Sequence, residues 1–207
     1  LLAPLGVRPL AAPRGVVGET DCSHLDASLP QDGRPLVLLH AGVSAFGAIK
    51  AWREERFAEL GQALATDGAK VYFLWGGEGE RLQAERLHAL APEVEVAPAT
   101  GSILELAWFL RQANLFVGVD SGPLHLAAVQ GTRVLGLYGP KHTGTYGPYW
   151  PGSRGARAGA HCSPCRHRKC PRDDVARVET APFKLSPCME SLTVAHALEE
   201  ARAILAS

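Results

Sequence analysis

Between Asn114 and Gly131 the chain reads Asn-Leu-Phe-Val-Gly-Val-Asp-Ser-Gly-Pro-Leu-His-Leu-Ala-Ala-Val-Gln-Gly, a stretch that few folds can accommodate. Leu115 to Val119 is apolar without alternation, as expected of a strand buried on both faces of a parallel sheet. Asp120-Ser-Gly-Pro123 then offers two capping side chains, a glycine and a proline where a helix should begin, and Gly131 suits its end. The turn's N–H groups and the positive end of the helix dipole are thereby left at the carboxyl end of a strand, where open α/β sheets hold anions. An ordinary strand-to-helix connection has the same residues. His125 is either a capping and packing residue or a donor to a phosphate oxygen. Gly122 is expected to be required by the turn, so that valine there should strain the backbone as well as crowd the site.

The rest of the chain repeats this alternation. Apolar runs predict strands at 36–39, 71–75, 94–96 and 134–138 in addition to 115–119, separated by helical periodicity over 53–66, over the residues after Gly76, and over 104–112. The fold class is therefore α/β: a Rossmann-like parallel sheet with helices on both faces. Residues 1–33 are rich in proline and glycine and read as a linker and irregular lead-in, with Cys22 and His24 incidental. Residues 34–207 form the domain, which includes an irregular cysteine-containing segment at 141–189 and a terminal helix at 193–205 capped by Thr193.

Three further connections follow strands and carry chemistry. His40-Ala-Gly-Val-Ser-Ala-Phe-Gly-Ala-Ile-Lys50 has two glycines and closes on a lysine, so Gly42 and Ser44 can line a cleft and Lys50 can neutralise a phosphate; a solvated surface lysine is the alternative. Gly76-Gly-Glu-Gly-Glu80 has carboxylates that suit ribose hydroxyls or merely favour the helix dipole. Its helix is expected to bury Leu82, Leu87 and Leu90. Ser102-Ile-Leu-Glu105 is a capping box. The glycine-, proline- and aromatic-rich loop after Tyr138 is long enough to be functional, and it places Lys141, His142 and Thr143 at a possible cleft.

Asp120-Ser-Gly-Pro-Leu-His-Leu-Ala-Ala128, then Gly131, then Val134-Leu-Gly-Leu-Tyr-Gly-Pro140, resembles the signature of the lipopolysaccharide heptosyltransferase family, glycosyltransferase family 9. The family pattern is D-[ST]-G-x-x-H-[LI]-A-A, glycine, and an apolar strand ending in Gly-Pro. The resemblance implies the carboxyl-terminal half of a GT-B glycosyltransferase, whose amino-terminal domain would lie upstream of Leu1 and would supply an aspartate as the base. It implies a nucleotide-diphosphate sugar donor such as ADP-heptose and a lipid-linked or glycan acceptor. Inverting transfer in lipopolysaccharide core or related glycan synthesis follows, without a metal or other cofactor and in the cytoplasm, at the inner face of the membrane. The full protein would be an enzyme and this fragment alone inactive.

Carried over position by position, the resemblance puts Lys50 on a phosphate or an acidic acceptor group and makes Trp52 the packing residue of Lys50-Ala-Trp52. Glu80 is placed at the ribose with Glu78 as fallback, Gly101 and Ser102 beside the base, and Asp120, Ser121, Gly122 and His125 at the diphosphate. His40-Ala-Gly42 stands where the family has His-Pro-Gly. Basic and acidic residues balance at 21 each, so no net field recruits nucleic acid or an anionic membrane surface. No apolar run is long enough for a membrane span. Cys162, Cys165, Cys170 and Cys188 have the number but not the spacing of a zinc site, and two disulfides or four free thiols fit equally. Two other classes stay open: a Rossmann-like oxidoreductase domain, against which the lack of G-x-G-x-x-G counts, and a non-catalytic module organised by the cysteines.

Overall fold

The computed structural model describes residues 20–148, 150–167, 169–172 and 185–207. Six parallel strands form one sheet in the order β3-β2-β1-β4-β5-β6. They are β1 (Leu36–His40), β2 (Lys70–Phe73), β3 (Glu95–Val96), β4 (Leu115–Val119), β5 (Val134–Tyr138) and β6 (Arg154–Arg157). The helices are α1 (Ser23–Asp26), α2 (Glu54–Thr66), α3 (Glu78–Leu90), α4 (Ile103–Gln112), α5 (Gly122–Gln130), α6 (Thr143–Tyr146), α7 (Pro187–Glu190) and α8 (Val194–Leu205), and a 3-10 turn spans Ala45–Lys50.

Alternate residues of each strand divide the core into two layers. Val37, Leu39, Phe73, Val117 and Leu135 pack against α2, α3 and α8, whereas Leu36, Leu38, Tyr72 and Phe116 pack against α1, α4 and α5. Central strands β1, β4 and β5 are buried at every position, which is why they read as unbroken apolar runs. Chain order reverses direction across the sheet between β1 and β4, the switch point at which the loops after two neighbouring strands diverge and leave a crevice.

The fold departs from the sequence expectation at several places. β6 lies inside the segment expected to be irregular, as does α6, and α7 begins there; the one buried residue of β6 is Ala156, too little for an apolar signal. Strand β2 ends at Phe73 rather than at residue 75. In α3 the buried residues are Ala84 and Leu87, while Leu82 and Leu90 are exposed, because this helix covers the sheet edge with a narrow face. The lead-in is packed from Cys22 onward: Leu25 of α1 is fully buried against the β1 and β2 face, and His24 pairs with Glu105 at 3.3 Å. Residues 1–19 of the expected linker lie outside the described residues.

Candidate nucleotide-diphosphate site

A cleft of about 330 Å3 opens at the switch point, lined from β1 by His40, Gly42, Ser44 and Lys50 and from β4 by Asp120, Ser121 and Gly122. Glu80 enters it from the amino-terminal turn of α3. Local sequence dictates each approach. β1 and β4 pair in register from Val37 opposite Leu115 to His40 opposite Gly118, so the two loops leave the sheet side by side. Gly42 lets Glu80 close in, since a Cβ at that position would stand 2.3 Å from Glu80 Oε1. Ser186 Oγ donates to the Ile49 carbonyl at 2.8 Å and Trp52 Nε1 to the Leu192 carbonyl at 2.9 Å, which fixes the Lys50 loop from behind. Trp52 is buried edge-on against Phe57, the packing role expected of it.

The centre of the cleft is an ionic relay. Lys50 Nζ donates to the Asp120 carbonyl and, at 3.1 Å, to Asp120 Oδ2; the other carboxylate oxygen, Oδ1, lies 3.0 Å from His125 Nε2. Burial alone would raise the Asp120 carboxyl, but the His125 hydrogen bond and the Lys50 charge outweigh it and hold it below the ordinary carboxylate value. Asp120 therefore engages two cationic or donating groups, one with each oxygen. It acts here as the residue that positions them. An ammonium has three donors, so Lys50 retains one for another acceptor.

Helix α5 begins without a side-chain cap. Ser121 is the N-cap residue, yet neither its hydroxyl nor the Asp120 carboxylate accepts from the first turn, contrary to the capping expectation, because Asp120 is committed to Lys50 and His125. Ser121 Oγ is buried without a hydrogen-bond partner, and so is Nδ1 of His40. Both residues line the cleft. The Ser121 hydroxyl and the amides of Gly122 and Leu124 are the donors that the start of α5 offers an anion, since Pro123 carries no N–H and the His125 amide donates to the Ser121 carbonyl at 3.4 Å. Pro123 stands within the first turn and Gly131 ends the helix at φ +90°, as expected. The expectation of strain at Gly122 is not met: its φ is not positive, and a Cβ there would meet nothing within 4 Å.

Glu80 accepts from the Gly76 amide at 2.8 Å and faces His40 Nε2 at 3.3 Å, and the His40 hydrogen bond lowers its carboxyl below the ordinary value against the opposing effect of burial. Glu78 instead pairs with Arg81 on the helix surface, so of these two glutamates Glu80 is the one in the cleft. Gly101 and Ser102 are exposed and occupied by the start of α4: Ser102 Oγ accepts from the Glu105 amide at 3.2 Å, and Glu105 from the Gly101 amide at 2.7 Å. Lys141 lies outside the cleft in a second cavity, where it donates to the Cys165 carbonyl at 3.3 Å. His40 is a site residue to which the sequence assigns no role, although it closes an apolar strand and opens the His40-Ala-Gly42 motif.

Cys162, Cys165, Cys170 and Cys188 all line a third cavity of about 350 Å3 as free thiols. Among the described residues no three or more His, Cys, Asp or Glu side chains gather closely enough to hold an ion. Burial pushes the Cys188 thiol up, so it stays protonated. No helix among the described residues is long and apolar enough to cross a membrane.

Comparison with known proteins gives the family. Residues 13–176 match the model of glycosyltransferase family 9 (heptosyltransferase). Lipopolysaccharide heptosyltransferase 1 of Pseudomonas aeruginosa is 33% identical over 135 residues, 65% of this chain and 37% of that protein. Among solved structures, an E. coli heptosyltransferase with ADP is 31% identical with a TM-score of 0.56, covering 66% of this chain and 42% of that one. E. coli ADP-heptose lipopolysaccharide heptosyltransferase II has the same fold at 21% identity, with a TM-score of 0.71 over 97% of this chain and 55% of that one. The chain thus spans about two fifths of the length of the curated relative it matches.

Proposed function

Because the chain belongs to glycosyltransferase family 9, the heptosyltransferase family, we propose that it is the nucleotide-sugar-binding half of an inverting glycosyltransferase, taking a donor such as ADP-heptose in lipopolysaccharide core or related glycan synthesis. The observation that carries this proposal is the Lys50 ammonium held by Asp120 at the uncapped start of α5, beside the unpartnered Ser121 hydroxyl. A diphosphate seated there meets one positive charge, a hydroxyl and the amides of Gly122 and Leu124. A nucleoside attached to it runs toward Glu80 and His40, whose polar atoms suit ribose hydroxyls, with the base directed to the Gly101 and Ser102 side of the sheet.

In this mechanism a base in the amino-terminal domain of the same protein deprotonates the acceptor hydroxyl, which attacks the anomeric carbon, and the nucleoside diphosphate departs with its bonding electron pair. Charge then grows on the bridging and terminal phosphate oxygens. Lys50, Ser121 and the amides of Gly122 and Leu124 stabilise it without reorganising, in a cleft walled by protein. In this reading the Lys50 charge and the hydroxyl and amide donors do this work without a metal. The acceptor is a glycan or lipid-linked glycan, met in the cytoplasm at the inner face of the membrane. Donor binding lives in this half and deprotonation in the other, so this chain alone should bind donor but not turn it over.

Calorimetry tests the proposal. The chain should bind ADP in the presence of a chelator, and absence of heat with every common nucleoside diphosphate at millimolar concentration would remove it.

A further inference from the structure

The third cavity carries four thiols that donor binding leaves without a task, and it reaches the Lys50 loop. Its lining includes Cys162, Cys165 and Cys170 from the loop after β6, Ser186 and Cys188 from the start of α7, and Ile49, the residue before Lys50.

The four thiols are not alike. Cys162 is exposed, Cys165 and Cys170 are half-buried, and Cys188 is buried. Cys188 is also the one tied into the backing of the donor seat: its Sγ donates to Ser186 Oγ at 3.3 Å, and Ser186 Oγ in turn donates to the Ile49 carbonyl at 2.8 Å. Two hydrogen bonds thus connect a cysteine sulfur to the residue before Lys50. Burial raises the Cys188 thiol and the charge of Cys162 adds to the effect, so Cys188 holds its proton and Cys162 lies within its electrostatic reach. A disulfide arriving from solvent meets Cys162 first. Arg166 and His167 line the same cavity, where a guanidinium and an imidazole suit the carboxylates of a small peptide disulfide.

We propose that this cavity is a thiol–disulfide exchange site in which Cys162 takes a small disulfide from solvent and Cys188 resolves it, and that the resulting Cys162–Cys188 cross-link releases the Lys50 loop. The cross-link stands on the cavity alone; its effect on nucleotide rests on the glycosyltransferase reading above. In the first step the Cys162 thiolate attacks one sulfur of the incoming disulfide, and the other sulfur leaves as a thiolate that takes up a proton. In the second, the Cys188 sulfur attacks the Cys162 sulfur of the mixed disulfide, and its proton goes to the departing small thiol. Two cysteine thiols are thereby oxidised by two electrons, and one small disulfide is reduced to two thiols. Because Cys188 holds its proton, the second step is the slower one. The new bond takes Cys188 Sγ away from Ser186 and draws the start of α7 toward the loop after β6, so the Ser186 support of Ile49 goes with it.

Glutathione disulfide is the probe. Peptide mass mapping of the treated chain should show glutathione on Cys162 first and a Cys162–Cys188 bond later. Amide NMR should then move residues 49–51 and Ser186, and calorimetry should show ADP roughly fivefold weaker, the worth of one hydrogen bond, with dithiothreitol restoring both. Cys162→Ser should abolish all of these changes and Cys170→Ser should leave them in place, the reduced spectrum of each variant reporting that it is folded. A bond mapped to Cys162 and Cys165, with residues 49–51 and Ser186 unmoved, would overturn the proposal. So would a chain that glutathione disulfide leaves fully reduced, or a Cys162→Ser variant that still loses ADP affinity on treatment. The mapped bond and its amide shifts, found in a chain whose reduced form gives no heat with ADP, would remove the nucleotide reading and leave the exchange site standing.

Discussion

Lys50 and Asp120, 70 residues apart in sequence, meet twice: the ammonium donates to the backbone carbonyl of Asp120 and, at 3.1 Å, to its carboxylate. A lysine tethered in this way does not sweep through solvent. Its charge is delivered to one place, the start of α5, before any ligand arrives, and most of the rotamer freedom that binding would otherwise remove is already gone.

Replacing Lys50 with alanine should therefore separate phosphate from nucleoside. A charge-assisted contact is worth about 1.5–3 kcal/mol, so ADP affinity should fall roughly tenfold to a hundredfold while adenosine is unaffected. Calorimetry with the two ligands gives the answer; equal losses would take Lys50 off the diphosphate.

Gly122→Val should leave stability intact and abolish diphosphate binding. The position has no positive φ, and a Cβ added there would enter open space, so the fold accepts the change, whereas the valine methyls occupy the volume over the free amides of α5. Thermal melting should match the parent within a few degrees as ADP binding disappears. A large drop in melting temperature would restore the strained-turn expectation.

Asp120 and Glu80 are both held below the ordinary carboxylate value, so each binds fewer protons in the folded chain than in the unfolded one at acidic pH. Their contribution to stability is complete above the unfolded value of about 4 and is lost as pH falls through the lower folded values. Urea unfolding should show a decline starting near pH 4, reduced in the Asp120→Asn variant. A decline that Asp120→Asn leaves unchanged would show that other carboxylates cause it.

Trp52→Phe should cost about 1 kcal/mol, the usual net value of one hydrogen bond, here the one to the Leu192 carbonyl. Trp52→Ala should cost about 3–5 kcal/mol through the cavity left beside Phe57. Both should weaken ADP more than adenosine, because the Lys50 loop loses its backing. Denaturant titrations with paired calorimetry check the two effects, and an unchanged ADP affinity in both variants would uncouple the loop from this support.

Sequence makes legible whatever a local pattern suffices to specify. β4, the turn after it and α5 share one short stretch, and the Ser102 cap needs only Glu105 three residues on, so both can be read directly. β6 escapes such a reading because an edge strand of Arg-Gly-Ala-Arg buries a single alanine. Leu82 and Leu90 have the helical spacing of core residues, yet burial depends on how wide a face the neighbouring layer presents. The pairing of Lys50 with Asp120 has no signal of its own, since it exists through the register of β1 on β4. Lys141, by its position after β5, is expected near the same cleft; a one-strand displacement puts it in another cavity.

The support behind the Lys50 loop comes from residues 185–192: Ser186 on Ile49, Leu192 on Trp52, and Glu190 paired with Arg53. During synthesis every strand of the sheet emerges well before these residues do. The sheet can therefore be complete in synthesised chain while the lysine loop still lacks its backing, which arrives only with residues 185–192. A product interrupted near residue 180 would carry the whole signature motif and all six strands without the contacts that hold the Lys50 loop.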